Sequence, residues 1–251
     1  MMPELSVRGS TTGRGKKISE VVARLILKDA RRRGLQPGAR LESEADMIER
    51  LGVGRASLRE ALRILEVQGL LRIRSGPRGG PVLTQVTSRD FGRTSTLYFM
   101  AGGATYREVI EARVAVTGLM ARLAAERAPA DGLERLRQAI EVTEEALQAE
   151  DRAWANIASG FYATIAELCG NRVVALFCMA LMSIYVDHLP PMRLGPEHRR
   201  RILSIYKQIA AAVGRADGAE AERLMAEHLL EFARDVGRAY PAFMDEIVDW
   251  E

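Results

Sequence analysis

Apolar side chains along the first third of the chain recur three or four positions apart, the spacing of one helix face. Val21, Val22, Leu25 and Ile26 predict a helix over 18–33. Gly34 suits its C-terminal cap, and Arg31, Arg32 and Arg33 complement the negative end of its dipole. Leu35-Gln36-Pro37-Gly38 is a turn signal. Ser43, followed by Glu44 and Asp46, predicts the capped start of a second helix over 44–51, with Ala45, Ile48 and Leu51 on one side. Gly52 and Gly54 then bracket Val53 and permit a sharp turn. Over 55–68, Leu58, Ala61, Leu62 and Leu65 form an apolar stripe, while Arg55, Arg59 and Arg63 line another face at four-residue spacing. By itself this run fits a solvated amphipathic surface helix as well as one that enters a DNA major groove. Gly69 ends it and the pattern shortens: 70–74 reads as a strand, 75–80 as a turn and 81–83 as a return strand. Helix, helix, turn, helix and hairpin in that order compose a winged helix-turn-helix, and the order favours the DNA reading.

Residues 84–90 are polar and predict a linker. Beyond it the helical period dominates, over about 88–100, 106–127, 131–150, 152–169, 172–188, 196–215 and 217–240. Pro129, Gly132, Gly170-Asn171, Pro190-Pro191, Gly195-Pro196 and Gly214 punctuate these runs. Helices of this length joined by short breaks predict an antiparallel bundle. The expected fold is mainly α: a basic arm without regular structure at 1–16, a winged helix-turn-helix over 17–84 and a helical domain over 85–251.

Charge separates the two halves. Residues 1–85 carry 17 Lys and Arg against 9 Asp and Glu, whereas residues 86–251 carry 19 against 24. A basic first third before an acidic remainder fits a polyanion-binding module joined to one with another task. Cys169 and Cys178 are the only cysteines; they fall in a helical stretch and read as core thiols, not as a disulfide framework or a zinc site. The N-terminus is polar and basic without an apolar h-region, and no run of about 18 apolar residues occurs, so a cytoplasmic protein is expected. No Ser/His/Asp or Cys/His constellation and no phosphate-cradling glycine loop between strand and helix stands out. An enzyme is not expected.

Residues 18–83 closely resemble the DNA-binding domain of the GntR superfamily, the matching residues being GLQPGARLESEADMIERLGVGRASLREALRILEVQGLLRIRSGPRGG. The resemblance implies that Arg55, Ser57 and Arg59, at the start of the recognition helix, contact bases and phosphates. Arg63 extends that face, and Ser75 and Gly76 match a wing tip that reaches the minor groove. Ala45 stands where relatives often carry a DNA-contacting arginine, and Gly54-Arg55 replaces a Ser-Arg pair, so the operator is expected to differ. Arg55 and Arg59 suit bidentate contacts to guanine, each contributing about 1–3 kcal/mol of discrimination. They equally suit phosphate clamps, which position without specifying. Lys16, Lys17, Arg72, Arg74 and Arg78 read as backbone contacts or solvated charge.

In the second domain, EARVAVTGLMARLAAERA, GFYATIAELCGN and GRADGAEAERLMAEHL resemble the FCD ligand-binding domain of the FadR branch of that superfamily. The resemblance implies a homodimer that holds a small effector inside the bundle. Many relatives bind a divalent metal there through one Asp and three His. The matching positions hold Ala158, Tyr162, Tyr206 and His228, so three of the four ligands are missing. One imidazole without a carboxylate does not make a metal site. The expectation is therefore no metal and no other cofactor, with His228 a core histidine beside a tyrosine. Arg113 matches a family arginine that often pairs with an effector carboxylate, and Asn171, which ends the second motif, is placed with it. Arg113, Ala158, Tyr162, Asn171, Tyr206 and His228 thus form the expected effector set. Leu119, Leu123, Ile165, Phe177, Leu181 and Met182 are its expected apolar surroundings. Two phenols, an imidazole and a guanidinium suit an anionic head on an apolar body, an organic acid or an acyl-CoA-like molecule.

The expected function is a homodimeric DNA-binding transcriptional regulator, a repressor that reads palindromic half-sites of double-stranded operator DNA under control of that effector. The competing expectation is a small-molecule-binding or scaffolding protein whose winged domain is a protein–protein module.

Overall fold

The computed structural model of the chain describes residues 18–76, 79–149, 154–190 and 195–250. The expected arm at 1–16, and with it Lys16, Lys17 and Arg78, lies outside the described residues. Among the described residues are eleven helices and one two-stranded sheet. The chain divides into two compact units after Asp90.

In the first unit, α1 (Ile18–Arg32), α2 (Glu44–Leu51) and α3 (Arg55–Val67) share a core with the hairpin β1 (Leu71–Arg74) and β2 (Gly80–Leu83). α1 buries Val22, Ile26 and Ala30, and α3 packs on it. The predicted stripe of α3, Leu58, Ala61, Leu62 and Leu65, is buried. Each buried leucine contributes about 1.5–3 kcal/mol, so the helix is anchored from behind while its arginine face stays free. The Ser43 hydroxyl accepts from the Asp46 N–H at 3.2 Å and caps α2 as expected. Asp29 of α1 pairs with Arg32 at 3.1 Å and with Arg50 of α2 at 3.5 Å, tying the two helices. The strands are antiparallel, from Leu71 opposite Leu83 to Arg74 opposite Gly80. Leu71 alone of β1 is buried, so the hairpin is rooted at its base and exposed along its length.

In sequence, α4 (Ser88–Ala101) spans the division point. The second unit continues with α5 (Tyr106–Arg127), α6 (Gly132–Gln148), α7 (Trp154–Leu168), α8 (Arg172–His188), α9 (Pro196–Gly214), α10 (Gly218–Ala239) and α11 (Pro241–Asp245). α5 is the central helix and packs against α7, α8, α9, α10 and α11. Its start is fixed by a reciprocal capping box between Thr105 and Glu108. Helices α5, α6, α7, α9 and α10 contribute to the larger apolar cluster, and a second cluster around Tyr106, Tyr185 and Phe243 joins α5, α8, α10 and α11.

α11 is an element the periodicity did not predict. Pro241 reads as a terminator, yet proline is favoured at the first position of a new helix, where no N–H is needed. The segment is held by Phe243, which stacks on Tyr106 with ring centroids 4.3 Å apart. Cys169 and Cys178 are free and buried, as expected, and burial pushes the Cys178 thiol up to about 11. Among the described residues no helix is long and apolar enough to cross a membrane.

Candidate functional site

Two regions concentrate functional groups, one in each unit. In the first, Gly52 closes α2 at φ +63, a left-handed conformation that favours glycine, and its N–H donates to the Ile48 carbonyl. Val53 and Gly54 carry the chain into α3. Arg55, Arg59 and Arg63 are exposed, and Ser57 is half-buried beside them. Arg55 and Arg63 have no carboxylate partner among the described residues. Arg59 donates to Glu44 of α2 at 3.3 Å, with 68% of its side chain exposed. An exposed pair of this kind contributes at most about 1 kcal/mol, so Arg59 is oriented rather than sequestered.

The two helix starts differ in charge. α2 opens on Ser43, Glu44 and Asp46. α3 opens on Gly54 with no side-chain cap and no acid in its first turn. Its first N–H groups therefore remain available to an anion, with the positive end of the helix dipole behind them. The hairpin supplies a second basic edge. Arg72 and Arg74 are exposed and two residues apart, hence on one face of β1. Ser75 and Gly76 lie exposed at its tip, Gly76 at φ +102. The turn is tight: a Cβ on Gly79 would sit 2.2 Å from the Arg74 carbonyl oxygen.

The second region is a buried aromatic cluster around Arg113 of α5, which is 5% exposed. Its guanidinium carbon lies 5.5 Å from the ring centre of Tyr162 (α7), 5.8 Å from Tyr185 (α8) and 5.9 Å from Phe232 (α10). Tyr206 of α9 meets Tyr162 edge-on at 5.9 Å and stacks on Phe161 at 4.1 Å. His228 of α10 lies 6.4 Å from Tyr162 and 5.8 Å from Tyr206. The expected residues Arg113, Tyr162, Tyr206 and His228 are thus brought together, and Ala158 lies buried one turn before Tyr162.

Charge in the cluster is one-sided. Arg113 has no carboxylate partner among the described residues, and a guanidinium stays protonated in proteins. Burial, reinforced by Arg113 and His198, pulls His228 down to about 4, so its imidazole is neutral near pH 7. Burial pushes both Tyr162 and Tyr206 up, and they too stay neutral. A single cation is therefore surrounded by neutral polar groups and aromatic faces. Between α9 and α10 a groove of about 280 Å³ is lined by His198, Arg201, Ile205 and Glu231 together with His228 and Phe232 of the aromatic cluster.

Some expected members fall elsewhere. The Asn171 side chain accepts from the Val173 and Val174 N–H groups and caps α8. It stands at the opposite end of α8 from Tyr185, about 20 Å along a helix that rises ~1.5 Å per residue. Its place in the effector set is accordingly corrected to that of a helix cap. Leu119 and Phe177 are 38% and 46% exposed and do not line the interior, whereas Leu123, Ile165 and Leu181 are buried. Tyr185, Thr117 and Phe232 border Arg113 or share its helix face and were not singled out from the sequence. Polar Arg113 and Thr117 one turn apart, among the apolar Val109, Ile110, Met120 and Ala121 of the same helix, were the available signal.

The donor set does not fit the divalent metal that many proteins resembling this domain hold. Ala158, Tyr162 and Tyr206 supply neither a carboxylate nor an imidazole, and His228 faces a guanidinium. No group of three His, Cys, Asp or Glu suited to a metal occurs among the described residues.

Comparison with known proteins adds a lineage. Residues 18–78 match the model of bacterial regulatory proteins of the gntR family, and residues 108–231 match the FCD domain. The HTH-type transcriptional repressor NanR of Cronobacter sakazakii is 29% identical over 219 residues, covering 85% of this chain and 83% of that protein. NanR of Escherichia coli is 28% identical over 219 residues, with 85% and 82% covered. Among solved structures, Streptococcus agalactiae GntR aligns with a TM-score of 0.67 at 23% identity, over 86% of this chain and 99% of that one, a likeness of fold.

Proposed function

The chain belongs to the gntR family of bacterial regulatory proteins and carries an FCD domain, a transcriptional regulator and not an enzyme; from that premise we propose that it is a homodimeric, cytoplasmic repressor released from operator DNA by a small carboxylate effector. α3 enters the major groove of each half-site with Arg55, Ser57, Arg59 and Arg63, and the hairpin tip at Ser75 and Gly76 lies along the adjacent backbone. The observation that carries the effector reading is Arg113, a buried guanidinium without a carboxylate of its own. A ligand carboxylate meets it in a bidentate pair, with the Tyr162 and Tyr206 phenols and the neutral His228 imidazole as further hydrogen-bond partners. The ligand's apolar body, the chain of an organic acid, occupies the aromatic lining; an acyl thioester, which lacks the carboxylate, would meet Arg113 through a phosphate instead. Binding of the effector weakens operator affinity by a coupling free energy of about 1–3 kcal/mol.

Two measurements test this. Gel shifts on DNA flanking the chain's own coding region are expected to give a specific complex that is lost in the double variant Arg55→Ala, Arg59→Ala. An intact complex in that variant refutes the placement of α3. Thermal shift with a panel of C4–C12 carboxylates and their CoA thioesters is expected to find a stabilising ligand for wild type and none for Arg113→Met. A ligand that stabilises both proteins equally removes Arg113 from the site.

A further inference from the structure

Two groups near Arg113 have no role in the site so far. Thr117 Oγ1 and the Tyr185 hydroxyl are the two buried side-chain polar atoms among the described residues that make no hydrogen bond to nitrogen or oxygen; the Cys178 thiol, a weak partner, is the one group within reach of Thr117. Thr117 is 2% exposed and Tyr185 0%. Thr117 follows Arg113 by one turn of α5, so both side chains leave the same face. Tyr185 comes from α8, packed against α5, with its ring 5.8 Å from the guanidinium carbon. Phe232, the third ring on Arg113, also lines the α9–α10 groove, so this ring stands between the groove and the cation.

An unpaired buried hydroxyl is unfavourable, and valine and phenylalanine would fill these positions with the same shape and no such penalty. Two orphaned oxygens flanking one orphaned cation point to a common cause. Each can donate and accept, and neither carries charge, since burial keeps the Tyr185 phenol protonated.

We infer that Thr117 and Tyr185 are a specificity-determining pair, which hydrogen-bonds a hydroxyl or carbonyl that the ligand carries close to the carboxylate held by Arg113. The inference rests on the reading of Arg113 as the carboxylate anchor. It selects a short hydroxy- or oxo-acid over an unsubstituted acyl chain. A plain chain leaves both oxygens unpaired, and a site built to hydrogen-bond a substituent rejects the analogue lacking it far more strongly than an apolar pocket rejects an added hydroxyl.

The probes are hexanoate, 2-hydroxyhexanoate and 2-oxohexanoate, which share chain length and charge. They are titrated calorimetrically into the full chain as wild type, Tyr185→Phe, Thr117→Val and Arg113→Met, and each ligand-free protein is melted. At least one substituted acid is expected to bind wild type about tenfold or more tighter than hexanoate, and that advantage is expected to disappear in Tyr185→Phe and Thr117→Val. Ligand-free, both of these variants are expected to melt about 2–4 °C above wild type, because the orphaned oxygen is gone. Equal binding of all three acids, abolished in Arg113→Met, overturns the pair and leaves the anchor standing. Binding of none of them overturns the anchor, and the pair with it. Variants that melt below wild type also overturn the pair, since the hydroxyls then have partners in the native fold.

Discussion

Replacing Arg113 by methionine is expected to stabilise the ligand-free protein and to abolish its response to a carboxylate. The guanidinium is 5% exposed and faces three aromatic rings at 5.5–5.9 Å. Withdrawing an ion from water costs several kcal/mol even after relaxation. Each cation–π contact returns about 0.5–2 kcal/mol, and one planar group cannot sit ideally over three faces at once. The balance is unfavourable by about 1–3 kcal/mol, the range in which buried ionic groups have been replaced by apolar ones with a gain in stability. Methionine keeps much of the stem's packing and adapts to the space left by the head. For a chain of this size about 1 kcal/mol moves the melting temperature by roughly 2–4 °C. Saturating effector reverses the order. At a hundred times its dissociation constant it adds about 2.7 kcal/mol to wild type and nothing to Arg113→Met. The assay is a pair of melting curves for each protein in carboxylate-free buffer, with and without effector. The two proteins are expected to exchange rank. A ligand-free Arg113→Met protein that melts more than about 5 °C below wild type refutes the reasoning, because the guanidinium would then be a satisfied structural group, whose removal is strongly destabilising.

His228 gives a pH dependence. Its pKa is pulled down from 6.5 to about 4, so the unfolded state binds more protons between those values. Its contribution to stability is complete above about pH 6.5 and lost as pH falls towards 4, roughly 3 kcal/mol in all. His228→Gln is expected to flatten the wild-type decline in denaturation midpoint over that window by a comparable amount. Gly79→Ala is expected to cost about 1–3 kcal/mol of local strain, because its Cβ would meet the Arg74 carbonyl oxygen at 2.2 Å. Gel shifts should show weakened operator binding while far-ultraviolet circular dichroism stays helical. Ser43→Ala removes the acceptor for the Asp46 N–H and is expected to cost about 1 kcal/mol in urea denaturation. Ser43→Gly should cost only a few tenths.

The first unit was legible because its elements are specified locally. Leu58, Ala61, Leu62 and Leu65 fall on one helical face, and that face is the one buried. Ser43 and Gly52 mark the two ends of α2 through their own side-chain and backbone chemistry. The boundary errors there are of one residue, α3 ending at Val67 and β1 starting at Leu71, but the inner face of α2 was misplaced: Met47 is buried and Ala45 is exposed. In the second unit the periodicity located α4 to α10, but α5 and α8 are apolar around most of their circumference, and a buried helix gives little indication of which side faces what. Leu119 and Phe177 therefore pointed inward on paper and stand 38% and 46% exposed. α11 was missed because a proline both ends helices and begins them.

The aromatic cluster shows where reading residues in sequence reaches its limit. Tyr162, Tyr206 and His228 were assembled from motif positions, and Arg113 from a family likeness, so the types present were known before their geometry. What distinguishes the site is an absence among the described residues: a cation without an anion and two hydroxyls without a nitrogen or oxygen partner. An absence is a property of the packed ensemble of α5, α7, α8, α9 and α10 and belongs to no single residue. Charge accounts for the choice of phenols at the matching positions. A carboxylate at 162, whose ring lies 5.5 Å from the guanidinium, would pair with Arg113 and compete with an outside anion. Ala158 and Tyr162 leave the guanidinium unneutralised, and Arg113 in turn helps hold His228 neutral. The neutral residues at 158 and 162 and the unneutralised Arg113 are thus two aspects of one electrostatic arrangement. Restoring a carboxylate by Tyr162→Asp should therefore neutralise Arg113 within the protein and compete with any ligand carboxylate, without creating the imidazole cluster a metal requires.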